Sequence, residues 1–254
     1  MFFVINKQKL YAYLVSIITV GILFCATSTL NTNTVATSST NEKLLPIYNV
    51  ETDEKKVAFT MNCAWNADDI DSILKTLEEN NTKITFFMVG DWIEKFPEAV
   101  KKIYEAGHEI ASHSDTHSHV NNLSYEENIE EIEKSNDKIE KITGSRTKIY
   151  RAPYGEYNNT VIKAAQDKGY FTIQWNLDTL DYTGLTGDEM WKRLDGKLKA
   201  GDIILSHNGT KNTASSLDML IKNIKAKGLE VVKVSELIYQ ENYTINSNGT
   251  QIKK

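Results

Sequence analysis

His113 and His117 lie four residues apart in the run Ser-His-Ser-Asp-Thr-His (112–117), with Asp115 between them. In a helical turn, positions i and i+4 share one side, so both imidazoles reach a single ion. Neutral imidazole suits Zn²⁺ and other first-row divalent metals. Further along, Arg151 stands in RAPYG, Asp178 and Asp181 in WNLDTLDY, and His207 in LSHNG. Polar residues of these types, gathered at one place, suggest a site. The run TMNCAW adds Asn62 and Cys63, an amide and a thiol.

These residues need elements to bring them together. From Lys56 the chain alternates β-rich apolar runs with helix-period runs. KVAFTMN (56–62), KITFFMV (83–89), HEIAS (108–112), KIYRAP, YFTIQWN, GDIILSHN and LEVVKV read as strands. Between them lie helical patterns at 68–80, 97–107 and 124–144 and three more beyond, with a last helical turn in SELIY. Pro97 opens one helix, and Ser124 with Glu127 forms a capping box for the longest. About seven alternating β/α units predict a parallel sheet with helices outside, best closed as a (β/α) barrel, with an open doubly wound sheet as the alternative. The polar residues named above fall at the C-terminal ends of these strands, where barrel chemistry sits. His108 starts its strand instead and reads as structural.

The 254 residues are 41% hydrophobic and 25% charged with a net charge of −5, an ordinary globular balance that gives nucleic acid no basic footprint. The N-terminus departs from it. Lys7 and Lys9 precede an apolar run from Leu10 to about Ala26, the pattern of a secretory signal or an uncleaved membrane anchor over residues 1–28. Residues 29–54 read as a polar linker, 55–240 as the folded domain and 241–254 as a tail. The two cysteines are Cys25 and Cys63, so cleavage of the signal leaves one thiol and no internal disulfide. The expected protein is extracytoplasmic, secreted or membrane-anchored, and monomeric.

Taken together, HSDTH, RAPYG, DTLDY and LSH resemble, in order, motifs of the polysaccharide deacetylases, the carbohydrate esterase family 4 or NodB-homology domain, and TFFMVGDW and AGHEIASH look like the same family. The resemblance covers roughly residues 55–240 and implies a distorted (β/α)7 barrel that removes N-acetyl groups from a cell-wall glycan such as peptidoglycan. It implies a divalent metal, Zn or Co, on His113 and His117. His207 becomes the general acid, and Asp181, paired with Arg151, orients its neighbours. Tyr154 offers a backbone N–H to the oxyanion, and Leu205, Trp175 and Tyr182 line the acetyl pocket or a sugar platform, with Tyr182 where the family has Trp. The first motif departs from the family's T-F-D-D-G. Asn62 takes the base position, where an amide has no useful basicity. Cys63 takes the ligand position, as a thiolate or as a small buried residue. A replacement carboxylate is sought in Asp69, with Asp68 and Asp91 as further candidates. The alternative function is a catalytically impaired glycan-binding homologue.

Overall fold

Strand β2 (Lys56–Cys63) is the spine of the molecule, and its alternation explains both sides of the sheet. In the computed structural model, which describes residues 43–254 together with Gln8, Tyr11 and Ser16, Val57, Phe59, Met61 and Cys63 point one way, into a core shared with the helices α1 (Ile70–Glu79) and α7 (Thr213–Ala226). Ala58 joins a second apolar cluster, and the side chains of Thr60 and Asn62 both meet Arg151. Successive side chains on a strand face opposite ways, so a single run supplies core to one face and chemistry to the other. Each fully buried Ile, Leu or Phe in these clusters contributes roughly 1.5–3 kcal/mol.

Around β2 runs a curled, wholly parallel sheet in the order β6 (Phe171–Thr172), β5 (Ile149–Tyr150), β4 (Glu109–Ser112), β3 (Thr85–Met88), β2, β8 (Ile203–His207), β7 (Leu177–Asp178). Strand β9 (Glu230–Val232) pairs with the start of β2. The helices α2 (Gly90–Lys95), α3 (Pro97–Glu105), α4 (Tyr125–Thr143), α5 (Asn159–Asp167) and α6 (Gly187–Asp195) complete the β/α alternation, and α8 (Val234–Leu237) follows β9. The seven-unit parallel β/α fold that the alternation predicts is thus present as a curled half-barrel, in keeping with the distorted (β/α)7 barrel that the resemblance implies.

Local sequence accounts for the long elements. Ser124 and Glu127 form the predicted capping box on α4, and Gly144 ends it in the left-handed region at φ 74°. Pro97 occupies the first turn of α3. Helix α2 follows β3 directly because Gly90 lets the chain pass Asp115: a Cβ there would lie 2.0 Å from Asp115 Oδ1.

Two expectations change at the ends of the domain. Residues 43–54 are not all linker, and 241–254 are not an appendage. Strands β10 (Tyr243–Ile245) and β11 (Thr250–Lys253) form a hairpin, and β1 (Asn49–Val50) pairs in parallel with β11. Ile47 bridges to Ile173 beside β6, and Val50 N–H donates to the Gly201 carbonyl at 2.9 Å. Gly201 sits at φ +84°, and a Cβ there would fall 1.8 Å from Val50 O, so only glycine lets this segment dock. Ile47 and Val50 are buried, which a linker would not achieve. The predicted signal or anchor over 1–28, with Cys25, lies outside the described residues. Among the described residues no helix is long and apolar enough to cross a membrane.

Candidate functional site

The C-terminal ends of the strands open onto a cavity of about 490 Å³ lined by Asn62, Trp65, His113, His117, Tyr154, Trp175, Asp178, Tyr182, Leu205 and His207, among others. Most of the residues singled out in the sequence therefore meet. His113 enters at the end of β4, where its N–H pairs with the Met88 carbonyl, and its ring lies 5.0 Å, centroid to centroid, from that of His117. The approach is not made by a helical turn. Ser114 and His117 both adopt positive φ, 68° and 59°, and the loop doubles back. Glu131 of α4 holds that shape, accepting hydrogen bonds from Ser114 Oγ, Asp115 N, Thr116 N and Thr116 Oγ1.

Below the histidines lies a chain of hydrogen bonds built on Arg151. Its guanidinium is wholly buried, 3.8 Å from the Phe87 ring centroid, and donates to Thr60 Oγ1 and, at 2.8 Å, to Asn62 Oδ1. Its remaining acceptors are the Ile173 and Gln174 carbonyls. Among the described residues no carboxylate accepts from it, and burial lowers its pKa to about 9, which still leaves it charged at neutral pH. Because the charged donor claims Oδ1, the Asn62 NH₂ faces His113 and donates to Nε2 at 3.2 Å. The other nitrogen of that ring, Nδ1, donates to the Arg151 carbonyl at 2.8 Å. Burial, then the neighbouring His117, and more weakly Arg151, push the His113 pKa well below its ordinary value, so the ring is neutral. His117 is lowered mainly by burial as well.

Asp181 does not pair with Arg151 as expected. Its partner is His207: the ring Nδ1–H donates to Oδ1 at 2.9 Å and the backbone N–H to Oδ2 at 2.6 Å. Tyr182 N and Thr213 Oγ1 fill the remaining lone pairs. A buried carboxylate with four donors is fixed, and it orients the imidazole with Nε2 free of this pairing. Arg151 and His207 both lie at strand ends, at similar distances from Asp181 in sequence, and only the sheet order, which sets β7 beside β8, selects His207.

The replacement ligands fall elsewhere. Cys63 is fully buried among apolar side chains on the helix-facing side of β2, and burial raises its pKa well above the ordinary thiol value. The bland reading of Cys63 is the one the packing supports. Asp69 binds the loop after β8, accepting from Asn208 Nδ2 and Gly209 N, and Asp91 stands exposed near Lys138. Nor does Asp68 or Asp69 cap α1 through its side chain; Asp69 occupies the N-cap position without a capping bond. His108 is structural, accepting from Ile84 N–H through Nδ1.

These residues do not fit the divalent metal that the motif implies. Two neutral imidazoles remain, one with its lone pair met by an amide N–H, and no anionic ligand joins them. Among the described residues no group of three or more His, Cys, Asp or Glu side chains is placed to hold a metal ion.

Around the mouth stand aromatic rings. Tyr154 stacks on His119 at 4.2 Å and meets His117 edge-on at 4.5 Å. Tyr182 meets the His207 ring edge-on at 5.4 Å, and Trp65 lies tilted over it at 5.3 Å. Trp175 and buried Leu205 form the inner wall. Sequence reasoning assigned no role to Glu131, Thr213, Asn208, Trp65 or Asp178. Glu131 alone left a signal, since it shares an α4 face with buried Asn128 and Ser135.

The fold and these motifs have counterparts among known proteins. The polysaccharide deacetylase family model matches residues 49–173. A peptidoglycan-N-acetylglucosamine deacetylase of Bacillus cereus is 30% identical over 186 residues, covering 72% of this chain and 68% of that protein. The chain belongs to the polysaccharide deacetylase family, whose structures are the CE4 carbohydrate esterases. The uncharacterized protein YlxY of Bacillus subtilis is 35% identical over 193 residues, covering 76% of this chain and 60% of its own length. Among solved structures, wild-type BA3943 of Bacillus anthracis, described as a CE4 family pseudoenzyme, superposes with TM-score 0.73 at 33% identity over 76% of this chain and 68% of that one. A mutant of BA3943 described as having restored enzymatic activity matches at the same TM-score and identity.

Proposed function

We propose that this chain is a non-hydrolysing member of its family that binds an N-acetylated cell-wall glycan such as peptidoglycan outside the cytoplasm, exported through residues 1–28. One observation carries the reading. Asn62 spans Arg151 and His113 by hydrogen bonds, standing where a base would have to accept a proton from water. An amide cannot do so. The aromatic rim and the 490 Å³ cavity suit a sugar chain with an acetamido group seated against Leu205 and Trp175. The likeness to a pseudoenzyme supports the loss of hydrolysis, and the likeness to a peptidoglycan deacetylase supports the glycan as ligand.

A second reading, the metal-dependent deacetylase that the motifs imply, is favoured by the His207–Asp181–Thr213 arrangement, which pure binding does not require. The two separate in one experiment. The purified protein is incubated with peptidoglycan and with chitooligosaccharides, with and without Zn²⁺ or Co²⁺, and both bound glycan and released acetate are measured. Glycan retention without acetate supports the proposal. Metal-dependent acetate release that His113→Ala abolishes supports the second reading.

A further inference from the structure

Between residues 43 and 254, four large side chains of apolar character stand exposed: Trp65, Tyr104, Tyr154 and Tyr182. Three of the four line the same cavity. Singly exposed aromatics need no explanation, but a cluster at the mouth of a cavity marks a binding surface. Tyr154 and Tyr182 belong to motifs already read as substrate-binding. Trp65 does not.

Trp65 is half exposed, at 48%, yet the loop that carries it is fastened to two neighbouring elements. The Asn66 carbonyl accepts from Trp92 Nε1 at 3.0 Å and from Asn208 Nδ2 at 2.6 Å. Asp69, just beyond, accepts from Asn208 Nδ2 and Gly209 N. Trp92 and Asn208 are themselves buried. The loop is thus bolted to α2 and to the segment after β8. The indole packs against the His207 ring at 5.3 Å and a 30° tilt, which leaves it fixed rather than folded into the core. A rigid, exposed, flat apolar ring at a cavity mouth costs little ordering on binding. Pyranose rings present a face of C–H groups that packs on such a surface.

We propose that Trp65 is a stacking platform for a sugar one position along the chain from the residue whose acetamido group enters the cavity. The ligand class is then a linear polysaccharide of several sugars rather than a single amino sugar or a small amide. Asp69 belongs to this platform, since its carboxylate ties the Trp65 loop to the loop after His207.

The inference rests on the glycan-binding reading above, and the test separates them. Binding of N-acetylglucosamine dimer and tetramer, and of muramidase-released peptidoglycan fragments, is measured by calorimetry for the wild type, Trp65→Ala and Trp65→Phe, with thermal melting alongside. The expected result is tetramer or fragment binding at least tenfold tighter than dimer, weakened tenfold or more by Trp65→Ala and less than threefold by Trp65→Phe, with unchanged melting. Equal affinity of wild type and Trp65→Ala, or of dimer and tetramer, overturns the platform and leaves glycan binding standing. Failure of the wild type to bind any of these glycans overturns both.

Discussion

At the scale of single residues, the site turns on Asn62. Its amide holds the buried Arg151 guanidinium with one end and His113 with the other. Asn62→Asp supplies Arg151 with a counter-ion and removes the N–H that covers His113 Nε2. The expected result is Co²⁺ affinity at least tenfold above wild type, read from the visible absorption of the bound ion; unchanged affinity would show that Asn62 is not what keeps the histidines from metal. His108 makes a separate prediction. Burial, and then Lys83 and Lys233, lower its pKa from 6.5 to about 4. The folded state therefore holds fewer protons than the unfolded state between those values. Stability from this group is complete above pH 6.5 and is lost as pH falls toward 4, roughly 3 kcal/mol in all. His113 acts in the same direction. In His108→Asn, which keeps an acceptor for Ile84 N–H, urea denaturation at pH 4.5 and 7 should show a smaller difference than in the wild type.

At the scale of elements, positions came through better than partnerships. The capping box on α4, Pro97 and the strand-end placement of His113, Arg151 and His207 are local facts, and the sequence carries them within a few residues. What HSDTH looks like in space is not local. A helical turn and a doubled-back loop both bring the two imidazoles together, and the choice falls to Glu131, on a helix that follows the loop. Likewise Asn62 was legible as a lost base but not as a bridge, because its partners come from two other strands. Glu131→Ala should strip four donors of their acceptor, costing roughly 2 kcal/mol, and should weaken glycan binding through the displaced His117. Glu131→Gln, which keeps acceptor oxygen, should lose less of both. Gly90→Ala forces a Cβ against Asp115 and should destabilise more than an ordinary surface Gly→Ala change, as read in the same denaturation series.

At the scale of the whole molecule, the alternating pattern predicted the parallel sheet, since most neighbouring strands are joined by one short β/α step, while the long-range pairing of β2 with β8 and β9 left no local signal. The sheet of β1, β11 and β10 escaped notice because its strands are two to four residues long and its pairing joins opposite ends of the domain. Gln251 anchors it, buried, with its side chain bonded to both the N–H and the carbonyl of Tyr239. Removing residues 243–254 should lower the melting temperature and expose Ile47 and Val50, and Gln251→Ala alone should cost roughly 2 kcal/mol.

That pairing also sets an order in time. Asn49 and Val50 are among the first residues of the domain to be synthesised, and their partners Thr250 and Gln251 are among the last. Several β/α units can form as they emerge, and β2 meets β8 and β9 later, but the pairing of Asn49 and Val50 with β11 has to wait for residues 250 and 251. Contacts between residues so far apart in sequence form slowly, and until this one does, the edge of β1 lacks its partner strand and stays open to other chains.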